Sequence, residues 1–230
     1  MPTNAPRAAQ GQAPAATVEF EGINAAQGGG AYPPDVNGDV GPDHYVQSTN
    51  FGAFAVWNKQ GTQVLAPTNM GLLWPVGDPC RTLGRGDPVV QYDQFANRWL
   101  LTQFAFASDT STPPKRVPPF YECIAVTTGP DPTGKYFAYT FLIDNELFPD
   151  YPHFGVWPNG YYMSVHLFDA TDRFREMGII AFDRENMLTG GTAREIQFFT
   201  NPDYFGLLPA DAQGLTPPPS NAPNYMVTFP

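Results

Sequence analysis

Hydrophobic and polar positions alternate along this chain in short runs. From Gly86 to Phe104 an Asp87-Pro88 opening leads into Val89-Val90, a polar turn spans Asp93 to Asn97, and a second apolar run follows from Trp99. Short β-branched or aromatic runs bounded by Pro, Asn and Asp predict strands joined by tight turns, so this stretch reads as an antiparallel hairpin. The cadence recurs from Asp35 to Ser48, from Asp150 to Val165, and begins again at Pro223. The aromatics opening each second strand are Tyr45, Trp99, Tyr162 and Tyr225, a repeat of roughly 60 residues, somewhat longer than the small propeller repeats.

Each mark is followed by a further apolar run: Phe54 to Asn58, Ile124 to Thr127, and Ile179 to Asp183. Units of three to four strands predict an all-β fold, a β-propeller-like array of short antiparallel sheets. A β-sandwich is the alternative. The repeats fall at about 32–66, 86–143 and 148–190, with a fragment at 223–230. Three units and a fragment do not close a ring of four to eight blades. Unrecognised terminal pieces, a shortened chain, or self-association through an open sheet edge are the ways out.

A strand pair is expected over Ile124–Thr128 and Tyr136–Ile143, one helical turn at Arg184–Leu188, and loops over 67–85, 105–120 and 201–222. Residues 1–17 are poor in apolar side chains, so they are expected to be disordered, a mature N-terminus or linker behind an added methionine. That leaves 18–230 as one domain, since a chain of 230 residues buries roughly 70–75% of its unfolded surface.

Composition narrows the function classes. With 26 prolines and 22 glycines the chain favours turns over long helices. A net charge of −10 repels phosphate backbones and anionic lipid, which argues against nucleic acid and membrane surfaces as partners. The lysines are few (Lys59, Lys115, Lys135), and the acidic, Pro-rich character points to an exported protein. In that setting Cys80 and Cys123 form one disulfide; two buried thiols are the other reading.

Three groups of residues carry candidate chemistry. Asp35, Asn37, Asp39 and Asp43 place oxygen ligands along one loop, a spacing that suits Ca²⁺ and resembles the calcium loops of integrin-type propellers. It is not an EF-hand, because Val40 and Val46 stand where Gly and Glu are needed; an Asn-Gly turn with Asp caps is the plainer reading. Asp35, Asp87 and Asp150 share one place in the repeat, and radial symmetry would gather them at one mouth. Grouped carboxylates there supply the proton donor and base or nucleophile of glycoside hydrolysis; turn formation by Asp before Pro is the alternative. Trp157, Tyr162 and Trp74 are the aromatic candidates for stacking on sugar rings, against the alternative of core packing.

Glu122, beside Cys123, becomes a further candidate acid if the disulfide holds it near the mouth. Other chemistries lack their patterns. His44, His153 and His166 show no ligand spacing, Ser164 has no nucleophile elbow, and Gln27 to Ala31 lacks the Lys of a phosphate loop. Arg85-Gly86-Asp87 spells an adhesion tripeptide, but Asp87 is better used as a turn residue.

The runs Pro34 to Gln47, Gly86 to Val90 with Arg98 to Leu101, and Phe148 to Tyr162 resemble a family of large secreted bacterial proteins that often carry added adhesion-type β-domains and have no agreed activity. The resemblance covers about residues 18–229 and implies export, a β-propeller-like domain, and continuation beyond the last residue. It supplies no catalytic residues. The Asp87-Pro88 opening also resembles that of five-bladed arabinanase-type propellers.

Two functions follow as expectations. One is a secreted glycoside hydrolase acting on extracellular carbohydrate through Asp35, Asp87 and Asp150. The other is a non-catalytic binding or adhesion module stabilised by calcium at Asp35 to Asp43.

Overall fold

The computed structural model describes residues 15–199, 203–214, 216–219 and 221–228. Most of the segment expected to be disordered (1–14 of 1–17) lies outside the described residues, as do 229 and 230 of the last fragment.

Three four-stranded antiparallel sheets follow one another along the chain, each with its strands in sequence order. The first contains β1 (Asn37–Val40), β2 (His44–Thr49), β3 (Ala53–Asn58) and β4 (Gln63–Asn69). The second contains β5 (Gly84–Asp93), β6 (Arg98–Ser108), β7 (Arg116–Thr127) and β8 (Tyr136–Asp144). The third contains β9 (Phe148–Trp157), β10 (Gly160–Phe168), β11 (Phe174–Phe182) and β12 (Glu195–Phe199). A two-stranded sheet of β13 (Leu208–Pro209) and β14 (Met226–Val227) lies against β9 and β10.

Local chemistry sets the turns. At the β5–β6 corner the Asp93 carboxylate accepts the N–H groups of Phe95 and Ala96 (both 3.1 Å), and Asn97 takes the left-handed backbone that Asn tolerates (φ 55). Helix α1 (Pro79–Thr82) starts with Asp78 Oδ1 accepting from Cys80 N (2.8 Å) and Pro79 in the first turn. Helix α2 (Arg184–Thr189) is capped by Asp183 and ends on Gly190 at φ 76, the left-handed stop where glycine has no steric cost.

The period-two alternation of the middle sheet supplies both of its neighbours with apolar faces. Leu100, Ile124 and Val126 meet Phe154, Val156, Tyr161, Met163 and Ile180 of the third sheet. Val90, Trp99, Leu101 and Ala125 meet Val46, Phe54 and Val56 of the first. Three sheets packed against one another in chain order, none of them closed, form an all-β array of short antiparallel sheets, an arrangement that fits an incomplete propeller and a sandwich alike. Cys80 and Cys123 form a disulfide that ties α1 to β7.

The expected strand pair and helical turn are β7–β8 and α2. Three expected loops prove partly ordered. The 67–85 segment contains the end of β4, a 3-10 turn at Met70–Leu73 and α1, while β6 and β7 extend into 105–120 and leave only 109–115 between them. The 201–222 stretch contains β13, and β12 lies beyond the expected end of the third repeat at 190. Among the described residues no helix is long and apolar enough to cross a membrane.

Candidate functional site

Asp35 and Asp87 stand at corresponding places, just before or near the start of the first strand of their sheets; the equivalent corner of the third sheet is Tyr151, and Asp150 lies one residue before it. β1, β5 and β9 are neighbours, so the stacking brings these corners together. Asp35 (φ 35), Asp87 (φ 45) and Tyr151 (φ 57) hold left-handed conformations. Non-glycine residues adopt these at a cost and persist in them only where surrounding contacts hold the backbone.

The corners border a cleft of ≈570 Å³ lined by Asp35, Asp39, Asp87, Gln91, Tyr151, His153 and Asp211, among others. That volume is within the range of small-ligand sites, roughly 300–1,000 Å³. Tyr151 is 59% exposed and is the open aromatic face of the cleft. Its ring meets His153 edge-on at 4.4 Å.

The carboxyl of Asp87 is pushed up to about 7, first by burial, then by the negative charges of Asp150 and Asp35; the Tyr151 N–H, donating to Asp87 Oδ2 at 3.2 Å, opposes the shift. Asp150 is raised as well, mainly by burial, with Arg116 pulling the other way. Asp87 is therefore a carboxylic acid that is half protonated near neutrality, next to two further carboxyls. That combination can donate a proton and accept one within the same cleft.

Glu122 stands behind it. It is 1% exposed on β7, its Oε1 has no hydrogen-bond partner, and alternation puts it on the same sheet face as Ile124, toward the third sheet. Burial raises its carboxyl well above the ordinary value, with the charge of Asp87 adding to the effect and Thr102 opposing it. The folded protein therefore keeps a proton that the unfolded chain loses above about pH 4.3. Because the folded state binds the extra proton, stability is greatest below that pH and falls as pH rises toward the folded value, by at most ~1.4 kcal/mol per pH unit. Glu122→Gln removes that slope. The expected result is a melting temperature raised several degrees at pH 8 and little changed at pH 4, by circular dichroism; equal shifts at both pH values would count against a protonated Glu122.

The suggested calcium loop does not converge. Asn37–Val40 is strand β1, and its alternation points Asn37 and Asp39 to one side. Asn37 Oδ1 accepts from Val90 N (2.8 Å) and Asp39 Oδ2 from Tyr92 N (2.7 Å), so both tie the first sheet to β5. Asp35 lies at the preceding corner and Asp43 in the β1–β2 turn. Among the described residues no group of three or more His, Cys, Asp or Glu side chains could hold a metal ion. The residues present thus do not fit a Ca²⁺ ion.

The aromatic candidates are corrected too. Trp74 is 2% exposed and donates from Nε1 to Tyr139 O (3.1 Å); Trp157 is 8% exposed and donates to Ala222 O (3.0 Å). Both are core residues with a satisfied polar edge, closed to a sugar ring. Tyr162 is half-buried in a separate hollow with Asn159 and Ile196, away from the cleft. Sequence reasoning passed over Asp211, Gln91 and the cleft role of Tyr151. Only Tyr151 carried a signal, as an aromatic beside the recurring Asp.

No family model matches the chain, and no curated protein or solved structure matches it. Fold and cleft define an all-β protein of stacked, unclosed four-stranded sheets whose first strands border an acidic cleft.

Proposed function

We propose that the protein is exported and that its cleft cleaves glycosidic bonds of an extracellular carbohydrate, with Asp87 as proton donor and Asp35 or Asp150 as base or nucleophile. The observation that carries this reading is the placement of Asp35 and Asp87 together on the cleft wall, with Asp150 near enough for its charge to reach Asp87; burial and these charges push the Asp87 carboxyl up to about 7. An acid of that strength keeps its proton in about half of the molecules at neutral pH and still gives it up to a leaving oxygen. The charge on a second carboxylate then stabilises the positive character that develops on the sugar. The exposed face of Tyr151 supplies an apolar platform for a ring. The disulfide is compatible with an oxidising compartment.

A second reading is a non-catalytic binding module, favoured by the Tyr151 N–H bond to Asp87 Oδ2, which gives Asp87 a structural task. A panel of polysaccharides and chromogenic glycosides assayed from pH 5 to pH 9 separates the two. The hydrolytic reading expects new reducing ends, at a rate that falls as pH rises through about 7 and Asp87 loses its proton. Retention of a polysaccharide without cleavage supports the module. Neither retention nor cleavage removes carbohydrate from the account.

A further inference from the structure

One side chain outside the three aspartates touches two of them. Asn50 opens the 3-10 turn Asn50–Gly52 between β2 and β3. Its Nδ2 donates to Pro33 O (2.8 Å) and to Asp35 Oδ2, and its own N–H donates to Pro34 O (2.9 Å). Its Oδ1 accepts the N–H of Asp87 (2.8 Å). A single primary amide thus reaches the left-handed corners of two sheets, holding one by its carboxylate and the other by its backbone.

The arrangement is tight as well as polar. Gly86, at φ +156, brings its backbone so close that an added Cβ would lie 2.1 Å from Asn50 Oδ1. Only glycine lets the Asp87 N–H reach that oxygen. The pattern is carried one sheet further by Asp87 itself, whose Oδ2 accepts the Tyr151 N–H. Each left-handed corner after the first is therefore held by a side-chain oxygen from the sheet before it.

We infer that Asn50 is a positioning residue that sets the spacing of Asp35 and Asp87 and aims the Asp35 carboxylate across the cleft. Its role in catalysis rests on the hydrolytic reading above; its role in placing the two carboxyls does not. The amide is suited to the task because it offers an acceptor on one side and donors on the other without adding charge.

Asn50→Asp separates its two functions. The remaining oxygen still accepts the Asp87 N–H, while the donor to Asp35 is replaced by a carboxylate. The titration of Asp87, followed by carbon-detected NMR of the side-chain carboxyl, is the readout. A third nearby carboxylate is expected to move the Asp87 midpoint upward from about 7 by about one pH unit or more, with the melting temperature within a few degrees of wild type. Asn50→Ala, which adds no charge, is the discriminating variant: freeing Asp35 from its amide donor is expected to lower the Asp87 midpoint below about 7, and an unchanged midpoint in a folded Asn50→Ala variant overturns the inference. If the panel finds no substrate while the midpoint moves, the hydrolytic reading fails and the positioning role stands. If the variant does not fold, wild type decides. The Asn50 side-chain amide protons, held by Asp35 Oδ2 and Pro33 O, are expected to exchange slowly; fast exchange overturns the proposal.

Discussion

Replacing Asp93 by Ala is expected to cost about 3–5 kcal/mol of stability, the largest single effect in the molecule outside the cleft. Asp93 is fully buried at the β5–β6 corner, and Arg184 at the start of α2 grips it with Nε (2.6 Å) and Nη2 (3.0 Å). Tyr161 Oη donates to Asp93 Oδ2 (2.8 Å), and Arg184 Nη1 donates to Pro158 O (3.1 Å). The second sheet is thereby bolted to the third. Loss of the carboxylate strands a guanidinium that is only 11% exposed and frees two turn N–H groups at once. Asp93→Ala combined with Arg184→Met should recover part of the loss, because no uncompensated charge remains. Urea unfolding measures both. A loss below about 1 kcal/mol for the single variant would mean the pair is far better solvated than its burial implies.

Asp87→Asn is expected to lower turnover by roughly 10²–10⁴-fold, the usual contribution of a general acid. The same change should make the protein more stable at pH 8. In the folded state the carboxyl sits at about 7 against an unfolded value near 3.9, so its ionisation opposes folding increasingly as pH rises from about 4 to about 7. The full cost is present above pH 7 and vanishes below pH 4. Asn keeps an oxygen for the Tyr151 N–H while carrying no charge. A variant that is less active and more stable is the signature of a strained catalytic group. Unchanged turnover on a substrate found by the panel would remove Asp87 from the chemistry, and a lower melting temperature at pH 8 would contradict its raised pKa.

The array was legible in the sequence because its information is local. Pro, Asn and Asp at the corners, with apolar runs between, mark β5 to β6 and β9 to β10 without reference to anything distant. The nearness of Asp35 and Asp87 also followed from the repeat, since equivalent positions in stacked sheets become neighbours, whereas Asp150 sits one residue before the equivalent corner, Tyr151, and is not among the residues lining the cleft. What escaped depends on contacts between sheets. Asn37 and Asp39 look like loop ligands until β1 is seen to be a strand whose neighbour β5 offers unpaired N–H groups. Trp74 and Trp157 carry no local mark that separates a core indole from an exposed one, and their partners lie 65 residues away. The Asp93–Arg184 pair spans 91 residues, and Asn50 meets Asp87 across 37, separations that no motif records.

The pH titration of the Asp87 carboxyl in the intact protein bears most directly on all of this, with Asp87→Asn to assign its resonance. The account predicts a midpoint near 7, with the Tyr151 amide shifting over the same range because it donates to Asp87 Oδ2. A midpoint near 4, with the Tyr151 amide indifferent to it, would contradict both the cleft and the chemistry assigned to it.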